Sequence, residues 1–599
     1  MSLSVKSLKY LHYLLISPIR NEWALFIHVI LLMILPNYMD TFYFGSEGYD
    51  FIYIIKYNVN GSGIPYVFFI PFLISYFVST IINIASGKFQ HILRIIFFSF
   101  FLFLFGLNCF LLFNFGTLLT PSMLVLFFET NALEAKEFVS VFFLSISSLC
   151  SYLLVIVVCV SFFVCQYKIL RYGYLIFYNK YLAVLLTVSI IYLLFRSIQL
   201  SVSFSRLYQF ESVGQVESWA DDIEVNSNTI SVLLYSLQVV MLKNHEVDRL
   251  LKSTYDAILT SPTCIADDSL NVILVIGESY SKFHSHLYGY SKNTTPKMDE
   301  CVKNGNMFVF SNVISPYNLT SSVIKNLMST NSVSEHEYWS SCPFFPAIFK
   351  HAGYTVYFWD NQLTKTKGRA FDFSLNGIIH DVSLSKLSYD YVNDTIYNYD
   401  GDLISSFFSS FHPHKRNLII LHLMGQHVDA SDRFPSSYHL FSESDVDRND
   451  LSSLEKQRIA DYDNATLYND YVLSSIINYF DSTNAVLIYL SDHGEEVYDY
   501  RHVLGRTHEF PKKPQALHYQ YEVPFVIWCS DMFSNRNESI VNSIKTALSR
   551  PYMTDNVCNL LFHIGSIETN SYREEFDIIS PHYNCKKRIV EDRIGFDDL

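Results

Sequence analysis

The chain has 599 residues, half of them hydrophobic, and a net charge of −14, which is too long for one ordinary domain. The apolar weight lies before residue 202 and most of the acidic excess after it. No dense Lys/Arg stripe exists to replace phosphate counterions, which argues against a nucleic-acid partner.

Five stretches, near 22–38, 66–86, 92–115, 138–165 and 181–200, read as transmembrane helices, each with the roughly 20 residues that a bilayer crossing needs. The second, YVFFIPFLISYFVSTIINIAS, holds no charge and lacks the polar positions every third or fourth residue of a water-soluble helix. Because four more spans follow the first, a cleaved signal peptide is not expected. Lys6, Lys9 and Arg20 precede the first span, Lys88 and Arg94 flank the second loop, and Lys168, Arg171 and Lys180 crowd the fourth. Asp40, Glu47 and Asp50, then Glu129, Glu134 and Glu137, lie in the alternate loops. The basic loops thus share one side, which predicts a cytoplasmic N-terminus and an external chain after residue 201.

Residues 202–268 read as an amphipathic connector with LYQF and VLLYSLQVVML patches. Such a segment rests on the membrane surface or packs on the soluble domain. Cys109, Cys150, Cys159 and Cys165 lie in or beside spans and serve as small apolar residues. Cys264, Cys301, Cys342, Cys529, Cys558 and Cys585 lie outside, an even set in an oxidising compartment that allows up to three disulfides of unassigned pairing. None has C-x-x-C spacing, which argues against a cysteine zinc site.

From 269 onward the pattern is that of an α/β domain. NVILVI (271–276), TVYFW (355–359), NLIILHL (417–423), AVLIYLS (485–491) and PFVIW (524–528) read as buried strands, and Tyr468, Tyr471, Val472, Ile476, Tyr479 and Phe480 share one helix face. Buried strands separated by helices predict a mostly parallel sheet covered on both sides. Chemistry in such sheets gathers past the C-terminal ends of the strands.

Gly277-Glu278-Ser279 follows the first strand and Asp492-His493-Gly494-Glu495 the fourth. Adjacent Asp and His can face one metal ion if the backbone turns sharply, which Gly494 permits, and that donor set suits zinc or manganese better than calcium. The alternative is a solvated acidic turn. His422 lies inside the third strand, as a core histidine or a substrate contact, and His427 lies just after it; His502 and His508 fall in a later loop. A helix over 321–330 would leave Thr320 at its N-terminal end, either as a plain cap or as a hydroxyl nucleophile favoured by the helix dipole and a metal. The modified-cysteine motif C-x-P-x-R of sulfatase-like hydrolases is missing.

Together, GESYSKFHSHLYGYSKNTTPKMD (277–299), FSNVISPYNLTSS (310–322), FKHAGYTVYFWDNQ (349–362), LHLMGQH (421–427), DYDNATLYNDYVLSSII (461–477) and YLSDHGEEVYD (489–499) resemble the phosphoethanolamine transferases of Gram-negative envelopes, in the alkaline-phosphatase/sulfatase superfamily. The resemblance implies three parts: a five-helix transmembrane domain (1–201), the connector (202–268) and a periplasmic sulfatase-like domain (269–599). It implies a catalytic zinc on Glu278, Thr320, Asp492 and His493, a second zinc being open and manganese the poorer fit. Thr320 would be the nucleophile, His427 and His508 would act near the transferred phosphate, and Asn361, Lys367 and His422 would complete the donor region. The implied donor is phosphatidylethanolamine in the bacterial inner membrane, the acceptor a lipopolysaccharide or other envelope glycan, and the enzyme a monomer. Two cysteines of the lipid A-modifying branch correspond to Pro316 and Asn326, which shifts the expected acceptor toward a core sugar. The rival readings are a phosphoglycerol transferase of the same superfamily and a non-catalytic envelope scaffold.

Overall fold

The computed structural model describes residues 13–44, 66–115, 118–121, 123–124, 146–168, 180–222, 228–266, 268–335, 337–362, 378–379, 381–427, 429–501, 503–506, 515–592 and 594–598. It forms two compact units, one within Met1–Lys243 and one built from Asn244–Lys365 and Ser374–Leu599. Lys367, His502 and His508 lie outside the described residues, as do the acidic residues Glu47, Asp50, Glu129, Glu134 and Glu137 of the alternate loops.

In the first unit, helices α1 (Trp23–Phe44), α2 (Tyr66–Ile84), α3 (Gly87–Phe115), α4 (Ile146–Lys168) and α5 (Lys180–Ser205) fall on the five predicted spans. Among the described residues Gly87–Asn114 and Ser147–Gln166 are long and apolar enough to cross a membrane. Tyr13–Asn21 and Trp23–Met39, bent by 74° at their junction, meet the same criterion only when taken together, and Phe69–Ile84 and Thr187–Gln199 are shorter apolar helices. Leu25, Val29, Ile82, Phe105 and Cys109 fill the interior, while Ile95, Phe103, Leu153 and Phe195 point outward. Helices apolar on their outer faces as well as their inner ones suit a lipid solvent. Arg94 grips Glu22 through two hydrogen bonds of 2.7 and 2.8 Å, tying α3 to the start of α1.

The connector begins with α6 (Val213–Asp222) and α7 (Thr229–Leu259). Leu207, Val213, Val216, Trp219 and Val239 pack together with Ile70 of α2. This portion of the connector packs its apolar face against α2 of the same unit.

The second unit is built on a seven-stranded sheet: β1 (Leu270–Gly277), β2 (Met307–Val309), β3 (Thr355–Asp360), β4 (Tyr391–Val392), β5 (Arg416–His422), β6 (Ala485–Ser491) and β7 (Phe525–Cys529), in spatial order β2-β7-β6-β1-β5-β3-β4. The pairs β1/β5, β1/β6, β3/β5 and β3/β4 are parallel, and β7 runs antiparallel to both neighbours. Alternate residues of β1 feed different cores, Val272, Leu274 and Ile276 on one face and Ile273 and Val275 on the other. This two-sided burial explains why the strands read as unbroken apolar runs.

Helix α8 (Thr320–Met328) carries the candidate nucleophile, α9 is Asp400–Ser410, and the 28-residue α10 (Ser453–Phe480) covers one face of the sheet. On α10, Tyr468, Val472, Ile476 and Phe480 are buried as predicted. Tyr471 and Tyr479 instead lie exposed at the border of that face, where Tyr471 stacks on Tyr468 and Tyr479 on Phe408. All ten cysteines are free thiols. Burial pushes the thiols of Cys342, Cys529 and Cys558 up to about 12.

Candidate metal centre and nucleophile

Strand register builds the site. Gly277 of β1 lies opposite Ser491 of β6, so Glu278 and Asp492 leave the sheet side by side, and the N–H of Asp492 donates to the Gly277 carbonyl at 2.9 Å. Glu278, Asp492 and His493 are fully buried, and one donor atom from each falls within 4.8 Å of the others. His493 Nε2 lies 3.0 Å from Asp492 Oδ2 and 3.3 Å from Glu278 Oε1. Thr320 is the first residue of α8, one place inside the cap position held by Leu319. Its hydroxyl lies 3.1 Å from Glu278 Oε2 and 3.2 Å from His493 Nε2. The plain-cap alternative thus fails, because the side chain faces the acidic cluster.

Two observations fit this donor set to a cation. Asp492 Oδ1 accepts from the N–H groups of Ser279 and His493 at 2.9 and 2.7 Å, whereas the buried Oδ2 faces the His493 imidazole at 3.0 Å. His493 donates Nδ1–H to the Gly494 carbonyl at 2.9 Å, which turns Nε2 toward the carboxylates. Burial penalises the charged imidazole, and Arg506 opposes it further, yet Asp492 and Glu278 raise His493 to about 9. Burial alone would raise Glu278 as well, but His493, with His427 and Arg506, holds its carboxyl well below the usual range. Burial and the Glu278 charge push Asp492 up. Concentrated negative charge of this kind takes up a proton or a metal ion.

Gly494 does not adopt the left-handed backbone that a tight turn would demand. It is needed for space, since a Cβ there would lie 2.3 Å from the Tyr519 carbonyl oxygen. His422 is buried on β5, with Nδ1 bonded to Asp360 Oδ1 at 2.9 Å and Nε2 unpartnered. His427 lies close enough to Glu278 to lower its carboxyl. Asn361 is fully buried, its Nδ2 donating to Asp400 and its Oδ1 accepting from the Tyr397 N–H, so here it braces the loop.

Several contributors escape sequence reasoning. Gln362 donates to Glu278 Oε2 at 3.0 Å and to the Leu423 carbonyl at 2.9 Å. Asp400 accepts from the N–H groups of Met424 and Gly425 at 2.9 Å each. Arg506 Nη1 reaches both His493 Nε2, at 2.6 Å, and the Asn318 carbonyl, at 2.7 Å. Gln362 sits inside a quoted motif; Asp400 and Arg506 carry no local pattern that marks them.

A buried triad at adjoining strand ends, with a hydroxyl at a helix start, is an arrangement able to hold a metal ion beside a candidate nucleophile. Residues 270–549 match the Sulfatase family profile. The curated relatives are phosphoethanolamine transferases, as the sequence resemblance implied. The chain is 27% identical over 330 residues to phosphoethanolamine transferase EptC of Escherichia coli K12, covering 53% of this chain and 55% of the relative. The chain thus spans about half the length of that curated relative. It is similar to the C-terminal periplasmic domain of E. coli EptC in complex with Zn (25% identity, TM-score 0.48, covering 56% of this chain and 96% of that one). It is also similar to the integral membrane lipooligosaccharide phosphoethanolamine transferase A of Neisseria meningitidis (16% identity, TM-score 0.48, covering 94% and 97%).

Proposed function

We propose that this protein transfers phosphoethanolamine from phosphatidylethanolamine to a lipopolysaccharide acceptor, through a covalent intermediate on Thr320. The observation that carries the reading is the Thr320 hydroxyl at 3.1 Å from Glu278 and 3.2 Å from His493, at the start of α8. Glu278, Asp492 and His493 would hold a zinc ion, with Thr320 completing the set. Bound zinc supplies Lewis acidity that makes a neighbouring hydroxyl a competent nucleophile at neutral pH.

Thr320 Oγ1 forms a bond to phosphorus while the bond to the diacylglycerol oxygen breaks, and that oxygen leaves with a proton. By the sequence resemblance His427 and His508 would deliver the proton or stabilise charge on the transferred group, and Asn361 and Lys367 would bind the donor. An acceptor hydroxyl then attacks phosphorus, the Thr320–phosphorus bond breaks, and the threonine is regenerated. A core sugar is favoured as acceptor because Pro316 and Asn326 stand where the lipid A-modifying branch has its cysteines. The loop charges favour an inner-membrane protein with its N-terminus in the cytoplasm and its catalytic domain in the periplasm, where the donor never leaves the bilayer.

Mass spectrometry of envelope glycolipids, with and without the gene, tests the reading. A phosphoethanolamine-sized difference on a core sugar is expected. A phosphoglycerol-sized difference supports the rival transferase, and no difference supports the scaffold.

A further inference from the structure

The loop that delivers Thr320 is held from the far end of the chain. Ile589–Val590 and Ile594–Gly595 form a small antiparallel hairpin. Its Val590, with Phe596 just beyond, buries against Ile314, Leu517 and Tyr521, alongside Tyr317. Within the hairpin, Glu591 and Asp592 adopt left-handed backbone, with φ of 52° and 59°, a state that non-glycine residues keep only where their surroundings hold them.

The N–H of Glu591 donates to the Pro316 carbonyl at 3.0 Å. Glu591 Oε1 accepts from the Asn318 N–H at 3.2 Å and from the Tyr521 hydroxyl at 2.9 Å. Asp592 accepts from the Tyr317 hydroxyl at 2.6 Å. Pro316, Tyr317 and Asn318 are therefore each engaged, ending two residues before the nucleophile. Asn318 is also held from another side: its Nδ2 donates to Gln520 Oε1 at 2.9 Å, and its carbonyl accepts from Arg506, the residue that reaches His493. The segment is thus coupled to the hairpin and to the imidazole of the metal triad at once. Position 316, a cysteine in the lipid A-modifying branch, has here a proline whose carbonyl is bound by the hairpin.

A nucleophile must meet phosphorus in line, and a displacement of about 1 Å costs on the order of 100-fold in rate. We infer that the C-terminal hairpin is a positioning element for the nucleophile, with Glu591 setting the approach of Thr320. The inference rests on the reading of Thr320 as the nucleophile.

The test uses the full chain in detergent with phosphatidylethanolamine as donor, following kcat, KM, bound zinc, melting temperature and covalent labelling of Thr320 by mass spectrometry. Glu591→Ala is expected to lower kcat and the labelling rate about 10- to 100-fold, with KM and bound zinc unchanged. Glu591→Gln, which keeps an acceptor oxygen for Asn318 and Tyr521, should recover most of the rate. Tyr317→Phe removes one hydroxyl at nearly constant volume and should lower kcat in the same manner but less; it decides the matter if Glu591→Ala does not fold. Wild-type rates in the folded hairpin variants, beside an inactive Thr320→Ala, overturn the positioning role and leave the nucleophile standing. A rate loss matched by loss of zinc or of melting temperature also overturns it, since the hairpin is then a structural strut. Full activity in Thr320→Ala removes the nucleophile reading and the hairpin's role together.

Discussion

His493 donates Nδ1–H to the carbonyl of its neighbour Gly494 at 2.9 Å, and so presents Nε2 to Asp492, Glu278 and Thr320. A backbone acceptor therefore fixes the tautomer that a metal needs. Chelation is expected to abolish transfer and added zinc to restore it. Asp492→Asn should reduce bound zinc at least about 10-fold, because it removes the charge of the buried oxygen that faces His493 Nε2. Metal analysis of the purified protein checks both; full zinc occupancy in that variant would sink the ligand assignment.

The Thr320 hydroxyl, at the start of α8, reaches both the Glu278 carboxylate and the His493 imidazole. Thr320→Ala is expected to lose at least about 10³-fold in turnover while still binding donor, whereas Thr320→Ser retains measurable activity. Steady-state kinetics on both variants is the check.

Gly425 holds φ at +51° directly beneath the site, where a Cβ would lie 2.6 Å from the Glu278 carbonyl oxygen and 2.8 Å from its nitrogen. Both contacts are backbone, so nothing flexible can yield. Gly425→Ala should destabilise the fold by about 1–3 kcal/mol and displace Glu278 from the metal. A melting curve and a zinc measurement test it; an unchanged protein refutes it.

His284 is buried between Asp463 Oδ1, 2.8 Å from its Nδ1, and Asp499 Oδ1, 3.3 Å from its Nε2. Burial alone would lower its pKa, but Asp499 and Asp463 raise it to about 10. A raised histidine stabilises the fold fully below its unfolded value of roughly 6.5, and that contribution is lost as pH climbs through the folded value. The cost of His284→Gln should therefore be greatest below pH ~6.5 and shrink progressively toward pH ~10. Melting temperatures of both proteins across that range decide it; a penalty that grows with pH contradicts the ion pairing.

None of the ten cysteines is paired, so a reductant should leave the melting temperature unchanged. Breaking even one native disulfide would ordinarily remove about 2–5 kcal/mol. A marked drop on reduction would show that the thiols pair in the envelope.

The sequence by itself determined what depends on local pattern. Five apolar runs became five helices, because a bilayer-length stretch so poor in charge has few other stable states. The strand runs were legible because both faces of β1, β5 and β6 are buried, and Glu278 and Asp492-His493 stood out because a carboxylate has little reason to follow a buried strand directly. Even so, the antiparallel course of β7 and the exposure of Tyr471 and Tyr479 had no local mark. Only the tertiary structure set Gly277 opposite Ser491, turned the Thr320 hydroxyl toward Glu278, and brought in Gln362, Asp400 and Arg506. The reach of Glu591 to Asn318 spans 273 positions along the chain. Hydrophobic periodicity reports which face of an element is buried, whereas partners across such distances are chosen by strand register and packing, which no spacing within the sequence encodes.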